Sequence, residues 1–390
     1  LNIQSYALSR LEKGNSKIVS RNSSTYKYLK SKYNLSQDKI IFINRKGKLV
    51  EPESGSVIVM NVNTGQLLCC VSSPNYNPNI FSRGIRTKEW DTIINNKKSP
   101  LLNRSVAGLY PPGSTIKMAV ALAALENGII GYNTKYFCSG FKEYGNMKFH
   151  CWFKHGHGNL NLSEAIERSC DVFFYELGLK VGIDKISEML KRLGLSSNLN
   201  FELNQFKKGL VPSKKWKFET KGSSWAPGET INASIGQGYM LSSPIELVTM
   251  ISRLANERFA VEPTFLFNSN KSFKKLDLNL KHLSYIKNAM IRVVNNKYGT
   301  AYNSKLGRSD VMMAGKTGTV QVVRITEEER EKGIVKNEDR IWKKRDHALF
   351  VGYAPADKPK YSICVVVEHG GSGSSIAAPI AKDIMNKLFI

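Results

Sequence analysis

Three short runs, met in this order along the chain, carry residue types able to do covalent chemistry together: Ser114-Thr115-Ile116-Lys117, Ser169-Cys170-Asp171 and Lys316-Thr317-Gly318-Thr319. A serine hydroxyl is a weak nucleophile at neutral pH and needs a base within hydrogen-bond reach. If Ser114 opens a helix, Lys117 stands one turn further on, over the same face. The lead-in Gly108-Leu109-Tyr110-Pro111-Pro112-Gly113 breaks any preceding helix, and the Ala- and Leu-rich run 118–125 predicts a buried helix that stops at Asn127-Gly128. The start of such a helix also aims unpaired backbone N–H groups at a reacting carbonyl. Lys117 can serve as the base only when neutral, which requires burial or nearby cations to lower its pKa. Taken alone, the same four residues describe a serine cap followed by a solvated lysine.

The second run follows Ser163-Glu164, whose polar first turn predicts a helix start and places Ser169 at or near that helix's end. The third lies between Val311-Met312-Met313-Ala314-Gly315 and Val320-Gln321-Val322-Val323, an apolar, β-branched setting that predicts a strand. A glycine within a strand allows close backbone approach by a ligand. Ser-x-x-Lys, Ser-Asp-Asn and Lys-Thr-Gly make up the motif set of penicillin-binding proteins and class A β-lactamases. On these motifs the chain resembles a class B penicillin-binding protein of the penicillin-binding protein 2, elongation type, over residues 51–390. Further runs match in order: Pro74-Asn75-Tyr76-Asn77-Pro78-Asn79, Leu102-Asn103-Arg104, Gly236-Gln237-Gly238 with Ser242-Ser243-Pro244-Ile245-Glu246-Leu247, and Gly299-Thr300-Ala301.

The resemblance implies a peptidoglycan D,D-transpeptidase that cross-links stem peptides through a Ser114 acyl-enzyme and is acylated by β-lactam antibiotics. In that reading Ser169 shuttles a proton near Lys117, and Asp171 stands where many relatives carry Asn, a departure that favours the elongation subtype. Lys316 and the hydroxyls of Thr317 and Thr319 bind a peptide carboxylate, Gly318 belongs to the same substrate-binding run, and the Thr319 and Ser114 N–H groups form the oxyanion hole. The implied partners are a SEDS-type glycan polymerase and other membrane proteins of the elongation complex. The implied location is the bacterial inner membrane, held by an N-terminal anchor outside this sequence, with the catalytic domain in the periplasm.

Three rivals share the fold. A class A β-lactamase needs a Glu-x-x-x-Asn loop, but the residue four past Glu202 is Phe206, and Gly209-Leu210-Val211-Pro212-Ser213 continues a penicillin-binding-protein pattern. A class D enzyme wants an apolar residue where Asp171 stands. A non-catalytic β-lactam sensor and a carboxypeptidase that uses water as acceptor are the other two.

Of six cysteines, Cys138, Cys151 and Cys170 fall in one stretch with His150, His155 and His157. Cys138, Cys151, His157 and Cys170 make a Cys₃His set, a recognised closed arrangement for structural zinc. The spacing lacks the tight C-x₂-C pairs of zinc fingers. The resemblance supports zinc, because some elongation-type relatives carry a site here with Asp at two of the four places. Gly156-His157-Gly158 and Cys170 match that pattern, while Cys138 and Cys151 replace the two Asp ligands. His150 and His155 are alternative ligands. A Cys138–Cys151 disulfide and free buried thiols are the competing readings. Cys69, Cys70 and Cys364 lie in apolar runs and read as core.

These groups need a scaffold, and 390 residues with 42% hydrophobic content supply one large domain plus a small extra piece. Alternating runs at 55–61 and 66–72 around Asn63-Thr64-Gly65 predict a β-hairpin. A helical section follows over about 114–300, and strands return at 311–323, 347–354 and 361–368. Strands from both chain ends with helices between them predict an α+β fold, a central antiparallel sheet flanked by helices, as in the serine β-lactamase and D,D-transpeptidase fold. Residues 1–50 are expected to be a remnant of an N-terminal pedestal with a polar insertion at 14–50, holding at most one strand around Ile40-Ile41-Phe42-Ile43. Residues 2–11 are helix-like. The charged segment 324–346 reads equally as a mobile lid or docking loop and as a solvated loop. Net charge is +25, carried by 57 Lys and Arg against 32 Asp and Glu. Lys-rich codon usage is the favoured source, attraction to anionic membrane or cell-wall precursors the other. The basic residues are dispersed and no nucleic-acid-binding motif is present, which argues against nucleic acid as a partner.

Overall fold

The structure, a computed structural model, describes residues 2–33, 35, 40–44, 47–82, 84–267, 271–323 and 325–390. Parts of the polar segment 14–50, and Arg324 of the charged insertion, therefore lie outside the described residues.

The chain opens with helix α1 (Ile3–Lys13), capped by the Asn2 side chain, and buries Ala7 and Leu11 in the main core. The hairpin follows as β1 (Ser54–Asn61) and β2 (Leu67–Ser73). β1 is buried on both faces, whereas β2 alternates buried and half-buried positions, because α1 covers only part of its outer side. Gln4 of α1 pairs with both backbone groups of Cys70, donating to its carbonyl at 3.0 Å and accepting its N–H at 2.9 Å, which occupies part of that sheet edge.

Next comes α2 (Lys117–Glu126), in which every residue from Lys117 to Ala124 is fully buried. A helix apolar on all sides belongs in the middle of a domain, and α2 lies there. The expected helical section is then interrupted. β3 (Lys135–Cys138) pairs with β6 (Gly158–Asn161), and between them β4 (Phe141–Tyr144) pairs with β5 (Met147–His150). These four-residue strands have no consistent alternation of apolar and polar residues, so no strand signal rises above the loop background. The helices resume with α3 (Leu162–Glu167), α4 (Asp171–Val181), α5 (Pro227–Ser234), α6 (Pro244–Asn256) and α7 (Leu280–Asn295). Three strands, β7 (Ala314–Val320), β8 (His347–Ala354) and β9 (Tyr361–Glu368), and a last helix, α8 (Ala378–Leu388), complete the chain.

The main sheet has the order β7-β8-β9-β1-β2 and is antiparallel throughout. α6 packs on one face of it, while α1 and α8 pack together on the other. The fold class is therefore the α+β arrangement expected. Between α1 and β1 the segment 14–50 holds more than one strand. Two-residue strands at Lys17–Ile18, Phe42–Ile43 and Leu49–Val50 pair side by side, and helix Ser24–Lys32 packs Tyr26 and Leu29 with Val19 and Ile41 into a small core of its own. Two-residue strands are too short for any period to show in sequence.

Candidate active site

Ser114 stands in a single 3₁₀ turn, Gly113–Ile116, directly ahead of α2. The turn rests on the Gly236-Gln237-Gly238 run. The Gly113 N–H donates to the Gly236 carbonyl at 2.9 Å, and a Cβ on Gly236 would lie 2.2 Å from the Gly113 carbonyl oxygen. Both glycines have positive φ, +55° at Gly113 and +73° at Gly236, a region costly for any residue with a Cβ. A second brace comes from Ser242, which exchanges backbone hydrogen bonds with Tyr110 at 2.8 and 2.9 Å. The two sequence runs matched earlier thus form the floor under Ser114.

The Ser169 turn is built by two abutting helices. Asn161, rather than Ser163, caps α3, in a reciprocal box with Glu164. α3 ends at Glu167, and α4 is capped by the Cys170 thiol, which accepts the Phe173 N–H at 3.5 Å. Between them Ser169 takes φ +55°, a conformation that costs a non-glycine residue about 1 kcal/mol or more. Its hydroxyl is 2.7 Å from Lys316 Nζ and 3.4 Å from Lys117 Nζ. Lys117 Nζ also donates to the Ser169 carbonyl at 3.0 Å and lies 2.7 Å from Asp171 Oδ1. Both lysines are fully buried. The structure therefore brings Lys117, Ser169, Asp171 and Lys316 into one cluster. Ser114 is half-buried beside them on the adjoining turn, and among the described residues no hydrogen bond of its hydroxyl is found.

Two amines share this space with a single carboxylate. Burial first, and then the Lys117 charge, hold the Lys316 amine well below the usual lysine range, against the pull of Asp171. Burial pushes the Asp171 carboxyl up, while Lys117 and the Trp152 N–H act to keep it ionised. Lys117 has the burial that a base would need, but its nearest partner is a carboxylate rather than a cation.

β7 carries Lys316 to Thr319 along the edge of the sheet, beside the Ser114 turn. A Cβ on Gly318 would lie 2.9 Å from Thr115 Cγ2 and 3.2 Å from Leu349 Cβ, so the missing side chain also lets the Ser114 turn dock on the strand. Thr317 is buried, with its hydroxyl 2.7 Å from that of Thr300. Thr319 is exposed and accepts the Gly373 N–H at 3.1 Å.

The ends of the short ribbons bring Cys138, Cys151 and His157 to Cys170, with all four ligand atoms within 4.8 Å of one another. His157 Nδ1 is 3.7 Å from the Cys138 sulfur and 3.6 Å from that of Cys151. Neither His150 nor His155 belongs to the cluster. The six cysteines are free thiols in this structure, Cys138 and Cys151 included. Hydrogen bonds from Cys151 and Cys170 pull the Cys138 thiol down to about 3, whereas its neighbours Cys138 and Cys151, with burial, push Cys170 far up. Three sulfurs this close cannot all become thiolates without a cation among them. The donor set and its closeness fit a soft tetrahedral ion such as zinc.

Trp152 went unnoticed in sequence. Its N–H donates to Asp171 Oδ2 at 3.0 Å and its indole N–H to the Ser169 carbonyl at 3.1 Å, tying the loop after Cys151 to the Ser169 turn. An isolated tryptophan beside a cysteine gives no sequence signal for this. Glu202, the fragment that suggested a β-lactamase loop, is engaged elsewhere. Against the raising effect of burial, Thr264 and the Phe265 N–H hold it down to about 2, and Lys271 is its ion-pair partner.

The family described as the penicillin binding protein transpeptidase domain matches residues 55–386. The peptidoglycan D,D-transpeptidase MrdA of Acinetobacter baumannii is 36% identical over 342 residues, covering 84% of this chain and 50% of that protein. MrdA of Escherichia coli K12 is 30% identical over 356 residues, covering 88% and 55%. The chain thus spans about half the length of these curated relatives. Among solved structures, penicillin-binding protein 2 of Pseudomonas aeruginosa in complex with WCK 5153 superposes with a TM-score of 0.76 at 34% identity, over 87% of this chain and 74% of that one. The complex of penicillin-binding protein 2 with MreC from Helicobacter pylori gives a TM-score of 0.79 at 30% identity, over 98% and 77%.

Two outcomes follow from this geometry. Gly318→Ala drives a methyl group into Thr115 and is expected to slow acylation of Ser114 by about tenfold, and adding Thr115→Ser, which removes the opposing methyl, restores most of the rate. Equal rates for the single and double variants, followed by intact mass, would contradict the docking role. Lys316→Met abolishes acylation but raises the melting temperature by about a few degrees at neutral pH. With its folded pKa lowered, Lys316 gives up a proton on folding, a cost present at neutral pH that fades as pH rises towards the unfolded value. The gain should therefore shrink in melts run towards pH 10, and a gain independent of pH counts against a neutral Lys316.

Proposed function

The chain belongs to the penicillin-binding protein transpeptidase family, and from that premise we propose that it is a serine D,D-transpeptidase of peptidoglycan, of the elongation type. The observation that carries this reading is the buried Lys117–Ser169–Lys316 cluster with Asp171, set beside the Ser114 turn. Ser114 attacks the carbonyl of the penultimate D-Ala of a stem peptide and releases the terminal D-Ala. An amine from a neighbouring stem then resolves the acyl-enzyme. Ser169, bridging the two lysine nitrogens, is the relay for the serine proton and later for the leaving amine. Lys316, its amine held well below the usual lysine range by burial, is left free to accept that proton for part of the cycle. Lys117, held 2.7 Å from Asp171, is placed to steady the oxyanion as it forms. Thr317 and Thr319 hold the donor's terminal carboxylate, and the Ser114 and Thr319 N–H groups the oxyanion.

On the same reading β-lactams acylate Ser114. The domain works on the periplasmic side of the inner membrane, held by an anchor outside this sequence, with a SEDS-type glycan polymerase as partner. One solved neighbour in complex with MreC, and one in a peptidoglycan synthase complex, support the presence of assembly partners. Among the described residues no helix is long and apolar enough to cross a membrane.

Cys138, Cys151, His157 and Cys170 would hold one structural zinc ion. Filled by four protein ligands, it supplies local folding energy and no catalytic position. Its contribution would reach the reaction through Cys170, which lies between Ser169 and Asp171.

Incubation with a penicillin should give a stable one-to-one adduct by intact mass, and Ser114→Ala should give none; an adduct persisting on the alanine variant, or rapid turnover of drug, sinks the assignment. Elemental analysis should find one zinc per chain, and removing it with a chelator should lower the melting temperature by at least about 5 °C. Protein isolated without metal, and indifferent to the chelator in both stability and acylation, would rule the ion out.

A further inference from the structure

Thr300 plays no part in the chemistry described so far, yet its hydroxyl oxygen lies 2.7 Å from that of Thr317, on the strand that carries Lys316. The backbone around it is held from two sides. The Thr300 N–H donates to the carbonyl of Glu167, the last residue of α3, at 3.3 Å. Gly299 presses against the end of α7, where a Cβ would meet the Val293 carbonyl oxygen at 2.2 Å, and the Ala301 N–H donates to that same carbonyl at 3.0 Å. Glu167 is itself fixed, its fully buried carboxylate paired with Arg292 of α7 at 2.5 Å. Thr300 thus spans the α3 end that leads into Ser169, the α7 end and β7. A β-branched side chain on so constrained a backbone has little rotamer freedom.

Only one proton can lie between two hydroxyl oxygens 2.7 Å apart, and each hydroxyl has one to give. Among the described residues the Thr300 hydroxyl has no other hydrogen-bond partner. If Thr317 donated, its proton would be spent on Thr300 and its oxygen would face a ligand as an acceptor, which repels a carboxylate. If Thr300 donates, Thr317 keeps its proton for the ligand, and accepting one hydrogen bond polarises its O–H into a better donor. We infer that Thr300 is a positioning residue that donates to Thr317 and so turns the Thr317 hydroxyl into a carboxylate donor, making it a determinant of selectivity for acyl donors with a free C-terminal carboxylate. This rests on the reading of Thr317 as part of the carboxylate site.

The test compares a penicillin bearing its free carboxylate with the methyl ester of the same compound, with second-order acylation rates read by intact mass. The unaltered chain should prefer the acid. Thr300→Val, which keeps shape and removes the hydroxyl, should cut the acid-to-ester rate ratio about tenfold, the loss expected for one hydrogen bond to a charged group. Thr300→Ser should keep the ratio. Thr317→Val should lower it as much, with the double variant no lower than either single, because both act on one hydrogen-bond chain. Equal losses for acid and ester in Thr300→Val would assign Thr300 to packing alone and overturn the inference, as would an unchanged ratio. Should Thr300→Val not fold, a Thr300→Ser ratio as low as that of Thr317→Val overturns it as well. Normal acylation with no preference between acid and ester in the unaltered chain would overturn the reading of Thr317 and this inference with it, whereas failure of that chain to react at Ser114 at all would locate the fault in the proposed function.

Discussion

Charge balance inside the cluster governs the rest of the site. Two lysine side chains end in a space closed to solvent, and one carboxylate, Asp171, faces them. A buried ammonium without a partner is costly enough that the group sheds its proton instead. Asp171 can satisfy only one lysine at close range, and it lies against Lys117, so Lys316 is left to the hydroxyl of Ser169 and the carbonyl of Thr317. The left-handed backbone at Ser169 follows from the same demand. It turns the hydroxyl towards both amines while the carbonyl receives Lys117 and the Trp152 indole. The strain at that residue is modest beside the cost of leaving either amine unmatched.

The scaffold is arranged so that this balance sits beside the Ser114 turn. α2 has no polar face, which buries Lys117 without a competing route to water. Gly318, Gly113 and Gly236 are positions where backbones or side chains come within contact distance of a missing Cβ, and together they close the Ser114 turn onto β7 and onto the segment ahead of α6. The cysteine cluster repeats the logic with sulfur. Cys170 caps α4 and stands between Ser169 and Asp171, so whatever holds Cys138, Cys151, His157 and Cys170 together also holds the turn.

Much of this was legible in the sequence because the chemistry restricts residue identity. The serines and lysines of the three motifs had to be those residues in that order, and the sheet strands showed as β-branched runs at both ends of the chain. The Cys₃His grouping was visible for the same reason, although its spacing was unremarkable. Features set by approach distance were hidden. The docking of Thr115 against Gly318 is one of them, since nothing in the residue types tells which atoms a missing side chain admits. The ribbons at 135–161 left no period to read, and Trp152 acts through a backbone N–H and an indole N–H that any fold could have pointed elsewhere. The Asn161 cap displaced the expected start at Ser163 by two residues, because Asn and Ser are equally good caps and only the backbone angles decide.

The sheet joins β1 and β2, near the start of the chain, to β7, β8 and β9, near its end, and α1 packs against α8. A ribosome makes these parts at opposite ends of its task. While the middle of the chain is emerging, β1 has no partner for the edge that will later receive β9, and its apolar residues have no cover on that side. Lys117, Ser169 and Asp171 are already synthesised by then, but Lys316 is not, and the strand that carries it gains its sheet partner only once β8 has appeared. The Lys117–Ser169–Lys316 cluster is therefore among the last features to be completed. Pairing between such distant segments also makes folding slow compared with helical proteins of similar stability, which leaves a long interval in which the strand edge is unpaired.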